Sequence, residues 1–199
     1  MDIVTENQRK HTSNNPLQRY LIQKFHHKIF SLIEITNITH LLDVGCGEGF
    51  GINAVKTYNN NLRIMGLDNN LSALIWGKNH IIGHQPILCG NAIKLPFDNN
   101  AFPMIVCLEV LEHLNEPALY LKELIRVTSQ FLIISVPHEP FFRIANFLRG
   151  KNISRLGNDI DHVNWFTVKK LKRLLSAQNI EIINHPLSFP WQIVLVKKV

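Results

Sequence analysis

Cysteine is scarce in this chain and long apolar runs are missing. The three cysteines, Cys46, Cys89 and Cys107, have neither the spacing of a disulfide framework nor a CxxC or paired CxxH arrangement. We therefore predict no metal site and expect reduced thiols in a cytoplasmic protein. The longest apolar runs, such as 131–136, are far below the roughly 20 residues that a membrane span needs. No transmembrane segment is predicted.

No signal peptide is predicted either. Residues 2–15 are polar and contain no apolar stretch, so we expect residues 1–15 to form a flexible arm. Residues 16–199 are enough for one domain with a full core and leave no room for a second one. No internal repeat is visible.

Strand-like and helix-like segments alternate along the chain, which predicts a mostly parallel sheet. Strands are expected near 41–44, 62–67, 86–89, 103–108, 131–136, 180–184 and 192–197. Helices are expected after Pro16 to about 33 and near 50–58, 71–82, 117–128 and 167–178.

A glycine-rich turn follows the first predicted strand in the segment LLDVGCGEG, residues 41–49. Gly45, Gly47 and Gly49 allow positive φ and close approach of a ligand, and the following helix favours an anionic group such as a methionine carboxylate. Asp43 would repel a pyrophosphate but could hold an ammonium group. The turn therefore fits S-adenosylmethionine (SAM) better than a dinucleotide.

The next predicted strand ends in a carboxylate, Asp68, 19 residues after Gly49. An acidic side chain at this distance is placed to accept hydrogen bonds from ribose hydroxyls of SAM or NAD. The dinucleotide pattern would have its third glycine at position 50, where this chain has Phe50. A short-chain reductase would also need a late Tyr-x-x-x-Lys pair, whereas Tyr20 and Lys24 precede the glycine turn.

Three motifs resemble those of class I SAM-dependent methyltransferases, in particular the type 11 methyltransferase domain family. They are LLDVGCGEG at 41–49, GLD at 66–68 and CGNAIKLPFDNNAFPMIVCLEVLEHL at 89–114. The order of SVPHEPFFRIANFLRG, LGND, HVNWFT and LSFPW extends the resemblance to one branch of the family and to nearly the whole chain. The resemblance implies an α/β fold, a Rossmann-like doubly wound sheet of seven strands, mostly parallel with an antiparallel last strand, and helices on both faces.

The same resemblance implies the cofactor-binding residues. The methionyl and sulfonium part of SAM would contact the glycine turn, and the ribose would contact the end of the second strand. The adenine would contact the end of the third strand, and the end of the fourth strand would border the substrate entrance. The residues are Asp43, Gly45, Cys46, Gly47, Gly49, Asp68, Asn69, Asn91, Ala92, Leu108 and Glu109. Asn91 stands where the family usually has aspartate, and a neutral amide should accept a weaker hydrogen bond from adenine.

A general base is required only if the methyl acceptor must lose a proton. His113 after the fourth strand, His138 beside Glu139 after the fifth, and His162 in a long connection are the candidate catalytic residues. Each could equally be a hydrogen-bonded scaffold histidine.

The connection 137–166 is far longer than the two to six residues typical of such loops, and long loops are often functional. Within 140–150 only positions 143, 146 and 149 are polar. This pattern predicts a helix that forms a lid over a small lipophilic acceptor or contacts a membrane peripherally, or alternatively one that packs into the core.

Two other functions stay open. The net charge of +6 and pI near 9.3 permit an RNA methyltransferase, but the basic residues after position 140 are diffuse and no RNA-binding module is visible, so nucleic acid is not the expected partner. A non-catalytic SAM-binding protein is the second alternative.

Overall fold

The structure is a computed structural model that describes residues 5–148 and 162–199. Its centre is a single mixed sheet. The strands are β1 His40–Val44, β2 Arg63–Asp68, β3 Ile87–Cys89, β4 Phe102–Leu108, β5 Thr128–Pro137, β6 Ile180–Asn184, β7 Leu187–Ser188 and β8 Trp191–Lys198.

The strands follow the order β3-β2-β1-β4-β5-β8-β6, with β7 paired to β8. Strands β1 to β5 run parallel, and β8 is antiparallel to β5, β6 and β7. The strand order reverses between β1 and β4, which opens a crevice at their carboxyl ends where ligands bind in such sheets. The predicted Rossmann-like sheet is confirmed. The two-residue strand β7 was not predicted.

The helices are α1 Glu6–His11, α2 Pro16–Glu34, α3 Phe50–Tyr58, α4 Leu71–Gly77, α5 Pro117–Val127, α6 Phe141–Leu148 and α7 Val168–Ser176. A π-helical turn, Lys78–Ile82, continues α4, and a 3-10 turn, Leu111–His113, follows β4. Helix α2 begins at Pro16, as predicted. The Asn15 side chain accepts hydrogen bonds from the backbone N–H groups of Leu17 and Gln18, and proline is favoured at the first helical position.

Two apolar cores cover the two faces of the sheet. Leu42 and Val44 of β1 face one core, whereas Leu41 faces the other. Ile105 and Cys107 alternate with Met104 and Val106 in the same way along β4. Burial on both faces explains why β4 is a continuous apolar run in the sequence and why β1 has apolar residues on both of its faces.

Helix α7 shows how the predicted amphipathic pattern is used. Leu171 and Leu175 are fully buried, while the basic side chains on the other side of the helix, Lys169, Lys170, Lys172 and Arg173, are exposed. The basic cluster of this helix is therefore a solvated face.

Helix α1 lies in the segment 1–15, where the sequence predicts a flexible arm. Thr5 and Gln8 form a capping box, in which the Thr5 hydroxyl accepts from the Gln8 N–H and the Gln8 side chain accepts from the Thr5 N–H. A six-residue helix is unstable alone, so its formation depends on contacts with the rest of the domain.

The long connection 137–166 contains helix α6, as the apolar segment predicted. The remainder of the predicted lid, residues 149–161 with Arg149 and the LGND segment, lies outside the described residues. Among the helices that the structure does describe, none has the length and apolar character needed to cross a membrane.

Candidate cofactor and acceptor site

The glycine turn between β1 and α3 has the backbone conformation that its sequence predicted. Gly45, Gly47 and Gly49 have φ values of +82°, +53° and +81°. A Cβ atom on Gly45 would lie 2.4 Å from Cγ2 of Val110, so a side chain is excluded by space as well as by conformation. The Gly45 N–H donates to the Leu67 carbonyl at 2.7 Å, which ties the turn to β2.

Asp68 lies directly beside this turn at the carboxyl end of β2. Its Oδ2 accepts the Gly47 N–H at 2.8 Å, and its Oδ1 accepts the Asn70 N–H at 2.8 Å. A carboxylate oxygen can accept about two hydrogen bonds, so each oxygen keeps a site for a ribose hydroxyl. Asp68 thus both fixes the turn and presents acceptors to a ligand.

Asp43 is buried at the end of β1, with 6% of its surface exposed. Burial, together with the charge of Asp68, raises the pKa of Asp43 from 3.8 to about 7. Its Oδ2 atom lies next to the first turn of α3, where a Cβ on Gly51 would be 3.6 Å away. A cationic ligand at this position would favour the ionised carboxylate.

The other predicted cofactor residues lie at the same edge of the sheet. Asn69 follows β2 and is exposed, Cys46 is buried in the turn, and Leu108 is half-buried at the end of β4. After β3, Ala92 is buried and Asn91 is exposed. The Asn91 Oδ1 accepts the Ile93 N–H at 2.9 Å, so one acceptor site of its amide is already used within the turn.

Glu109 is the first residue after β4 and has a left-handed backbone conformation, with φ of +58°. Ser135 on β5 holds it: the Glu109 N–H donates to the Ser135 carbonyl, and the Ser135 hydroxyl donates to Glu109 Oε1 at 3.1 Å. Burial raises the pKa of Glu109, although the positive charge of Lys10 opposes this shift. Glu109 therefore lies where β4, β5 and α1 meet.

Helix α1 covers the glycine turn. The Glu48 carboxylate, which is 2% exposed, accepts the Thr5 hydroxyl and the Asn7 side-chain amide, each at 2.5 Å. The His11 ring stacks on Phe50 with centroids 4.4 Å apart, and Lys10 lies 4.8 Å above the Trp191 ring. Helix α1 thus extends from the glycine turn to β8. It lies over the edge formed by the carboxyl ends of β1 to β4, where the predicted cofactor residues lie and which we call the cofactor edge.

Two of the three candidate catalytic histidines lie together. The rings of His113 and His162 are 5.0 Å apart in an edge-on arrangement, and a ligating atom of each lies within 4.8 Å of the other and of a Glu112 carboxylate oxygen. Sequence reasoning missed Glu112. The ring of His138 instead packs against Phe141 at 5.0 Å, and burial lowers its pKa.

Backbone hydrogen bonds hold the two parts of this histidine cluster in place. The N–H groups of Val163 and Asn164 both donate to the Glu112 carbonyl at 2.9 Å, and the Asn164 side chain donates to the Leu114 carbonyl. The 3-10 turn after β4 and the distant segment starting at residue 162 are therefore clamped to each other.

Comparison with known proteins identifies the domain. Residues 42–131, which include the glycine turn, Asp68 and the turn after β4, match the family described as Methyltransferase domain. Residues 42–131 belong to a SAM-dependent methyltransferase domain. The family and the cofactor predicted from the sequence are thereby confirmed.

Solved structures show the same fold for the methyltransferase domain. Magnesium protoporphyrin IX methyltransferase from Synechocystis PCC 6803 with bound S-adenosylhomocysteine (SAH) is 16% identical, with a TM-score of 0.72 over 96% of this chain and 92% of that chain. A SAM-dependent methyltransferase from Aquifex aeolicus is 17% identical, with a TM-score of 0.67 over 98% and 100% of the two chains. At these identities the likeness establishes the fold alone.

A protein of Methanocaldococcus jannaschii without a characterised function is similar in sequence. It is 36% identical over 104 residues, which are 52% of this chain and 37% of that protein. The chain thus spans well under half the length of the curated relative that it matches.

Proposed function

We propose that this methyltransferase domain transfers the methyl group of SAM to a small lipophilic acceptor that enters beside Glu109 and α6. The observation that carries the proposal is the apolar surface next to the carboxyl end of β5. Phe141, Ile144 and Phe147 of α6 are 48%, 50% and 44% exposed. Exposed apolar side chains that cluster in this way support binding of an apolar partner.

The turn after β7 extends this surface. The rings of Phe141 and Phe189 are 6.5 Å apart, and Phe189 is also about half exposed. On its other side α6 contacts the histidine cluster, because the Phe142 ring lies 5.5 Å from His162. The lid role of α6, predicted from the sequence, is thus supported by its position between an exposed apolar surface and polar groups beside the cofactor edge.

The reaction would be an in-line displacement. The acceptor atom attacks the sulfonium methyl carbon, a new bond to carbon forms, and the carbon–sulfur bond breaks with its electron pair going to sulfur, which leaves SAH. Alignment and exclusion of water can supply several kcal/mol of the rate acceleration. His113, His162 and His138 are proposed bases for an acceptor that must lose a proton. The free thiols of Cys46, Cys89 and Cys107 are compatible with the proposed cytoplasmic location.

A transfer assay with methyl-labelled SAM tests this proposal. Phenols, long-chain alcohols and amines of increasing apolar surface are offered, and label that becomes extractable into organic solvent is counted. We expect transfer to increase with acceptor hydrophobicity and the KM to rise at least several-fold in Phe141→Ser and Ile144→Ser.

The matched control is Ile35→Ser. Ile35 is also an exposed apolar residue, with 61% of its surface accessible, but it lies at the C-terminal end of α2, just before β1, and not on α6. Transfer that is indifferent to acceptor hydrophobicity, or that occurs with RNA and with none of these acceptors, would contradict the proposal.

A further inference from the structure

We propose that Glu112, His113 and His162 form a binding site for a divalent transition-metal ion on the acceptor side of the cofactor edge. One carboxylate and two imidazoles are a ligand set that proteins use for such ions. Ligating atoms of all three lie within 4.8 Å of one another.

The distances between the ligating atoms are close to those of a site with a metal ion bound. Metal–ligand bonds of about 2.1 Å place ligating atoms at most roughly 4.2 Å apart. The three side chains therefore need to converge by less than about 1 Å, which small rotations of exposed His113 and half-buried His162 can provide. No backbone movement is required.

Glu112 is the observation that points to a cation. Its side chain is 1% exposed, and neither carboxylate oxygen has a hydrogen-bond partner within residues 5–148 and 162–199. Buried carboxylates are normally paired, hydrogen-bonded or bound to metal, because burial removes their hydration. A cation between Glu112 and the two imidazoles would supply that missing partner.

The supporting structure around the site is already formed. The Glu112 carbonyl accepts two backbone N–H groups from Val163 and Asn164, which brings His162 to the turn that holds Glu112 and His113. Glu109 adds a second carboxylate to the neighbourhood, held by the Ser135 hydroxyl. The Phe142 ring beside His162 shields one side of the cluster.

The ligand types favour some ions over others. Two imidazole nitrogens suit transition-metal ions such as Fe²⁺, Co²⁺ or Zn²⁺, and the carboxylate also accommodates Mn²⁺, whereas Ca²⁺ and Mg²⁺ prefer oxygen ligands. Three protein ligands leave coordination positions for water or for an oxygen of a ligand, as in catalytic metal sites.

One consequence rests on the proposed function, and in it His113 and His162 act as metal ligands in place of the base role considered above. If the acceptor is a hydroxyl compound, its oxygen can take an open position, where the cation increases its acidity and the proton passes to solvent. The oxygen then forms the bond to the methyl carbon while the carbon–sulfur bond breaks and its electron pair goes to sulfur. A methyl ether and SAH result.

Metal binding is tested on the full chain after treatment with a chelator and gel filtration. Mn²⁺ is titrated and the free ion is measured by electron paramagnetic resonance, while Co²⁺ is followed by its visible absorption. We expect one Mn²⁺ per chain in the wild type, and at least tenfold weaker binding in Glu112→Gln, His113→Gln and His162→Gln. Because glutamine has nearly the same size and shape as glutamate, the Glu112→Gln variant should keep its fold, and circular dichroism checks this.

The matched controls are His84→Gln and Glu34→Gln, which change exposed residues outside the cluster and should bind Mn²⁺ like the wild type. No binding to the wild type, or equal binding by all variants, would overturn the proposal. The Glu112, His113 and His162 side chains would then have only a structural role. SAH binding is measured in parallel by calorimetry. Retained SAH binding together with absent metal binding would overturn this inference alone, while loss of SAH binding in the wild type would overturn the proposed function.

Discussion

Asp68 accepts the backbone N–H of Gly47 at 2.8 Å, although the two residues are 21 positions apart in the chain. This hydrogen bond joins the glycine turn after β1 to the end of β2. The same carboxylate is the expected acceptor for the ribose hydroxyls of the cofactor. One side chain therefore holds the shape of the cofactor edge, and we propose that it also binds the ribose.

Replacement of Asp68 by asparagine should weaken SAH binding by about 10- to 100-fold. Hydrogen bonds to charged groups are worth roughly 1.5–3 kcal/mol, and a neutral amide also presents a donor where the carboxylate presents only acceptors. Calorimetric titration of Asp68→Asn with SAH measures the change. Asp98→Asn, at an exposed position, is the matched control. Wild-type affinity in Asp68→Asn would contradict the role of this carboxylate.

Cofactor binding should depend on pH through Asp43. Because burial raises the pKa of Asp43 to about 7 in the empty protein, the carboxyl is protonated below that pH and cannot pair with the ammonium group of SAH. Affinity should therefore rise with pH by up to roughly tenfold per unit below pH 7 and level off above it. Titrations between pH 5.5 and about 8.5 measure the profile.

The stability of the empty protein should show the opposite trend. The folded-state pKa of Asp43 lies above its ordinary 3.8, so the folded state binds the proton more tightly than the unfolded state does. The resulting contribution to the free energy of unfolding is lost as pH rises from about 4 to about 7. Asp43→Asn should remove both effects. An SAH affinity in the variant that keeps the wild-type pH profile would show that another group is responsible.

Glu48 should control the docking of α1. Glu48→Ala leaves the Thr5 hydroxyl and the Asn7 amide without their acceptor, a loss of about 1–3 kcal/mol for the attachment of this short helix. Hydrogen exchange of the amides in Glu6–His11 should then accelerate by roughly 5- to 100-fold. Glu34→Ala, at an exposed helix end, should leave the exchange rates unchanged. Equal protection in Glu48→Ala would mean that the other contacts of α1, such as the stacking of His11 on Phe50 and the Lys10–Trp191 contact, are enough to hold the helix.

Arg126 should stabilise the loop between β3 and β4. Its guanidinium donates to both oxygens of Glu123 at 2.7 and 2.8 Å, to the Phe97 carbonyl at 2.9 Å and to the Leu95 carbonyl at 3.2 Å. Arg126→Leu should lower the free energy of unfolding by about 1–3 kcal/mol, measured by urea denaturation. Arg126→Lys should restore little of it, because one ammonium group cannot replace the planar fork. Full stability of Arg126→Leu would show that the loop does not need this network.

The sequence predicted the parts of the fold that local pattern determines. Strand β4 is a continuous apolar run, β1 and β2 are predominantly apolar between polar ends, and the glycines at 45, 47 and 49 specify the turn after β1 by backbone conformation. Helix α1 was missed, because six residues carry too little periodic signal and the helix depends on Glu48, 40 positions away from its middle. The capping pair Thr5 and Gln8 was the available signal.

The cluster of Glu112, His113 and His162 could not be derived from spacing. Its histidines are 49 positions apart, and the clamp between the Glu112 carbonyl and residues 163 and 164 brings them together. Metal motifs that are recognisable in a sequence consist of cysteine or histidine pairs at short spacings, and a site assembled from a turn and a distant segment has no such spacing. His138, by contrast, belongs to the surface formed with Phe141.

Calorimetric titration of the cofactor-free wild-type chain with SAM, SAH and NADH tests the central claim most directly. Both SAM and SAH should bind with dissociation constants of roughly micromolar size. NADH should not bind, because Phe50 occupies the third glycine position of a dinucleotide turn and Asp43 repels phosphate. Binding of NADH, or no binding of SAM and SAH, would contradict the cofactor site described here and every catalytic role proposed from it.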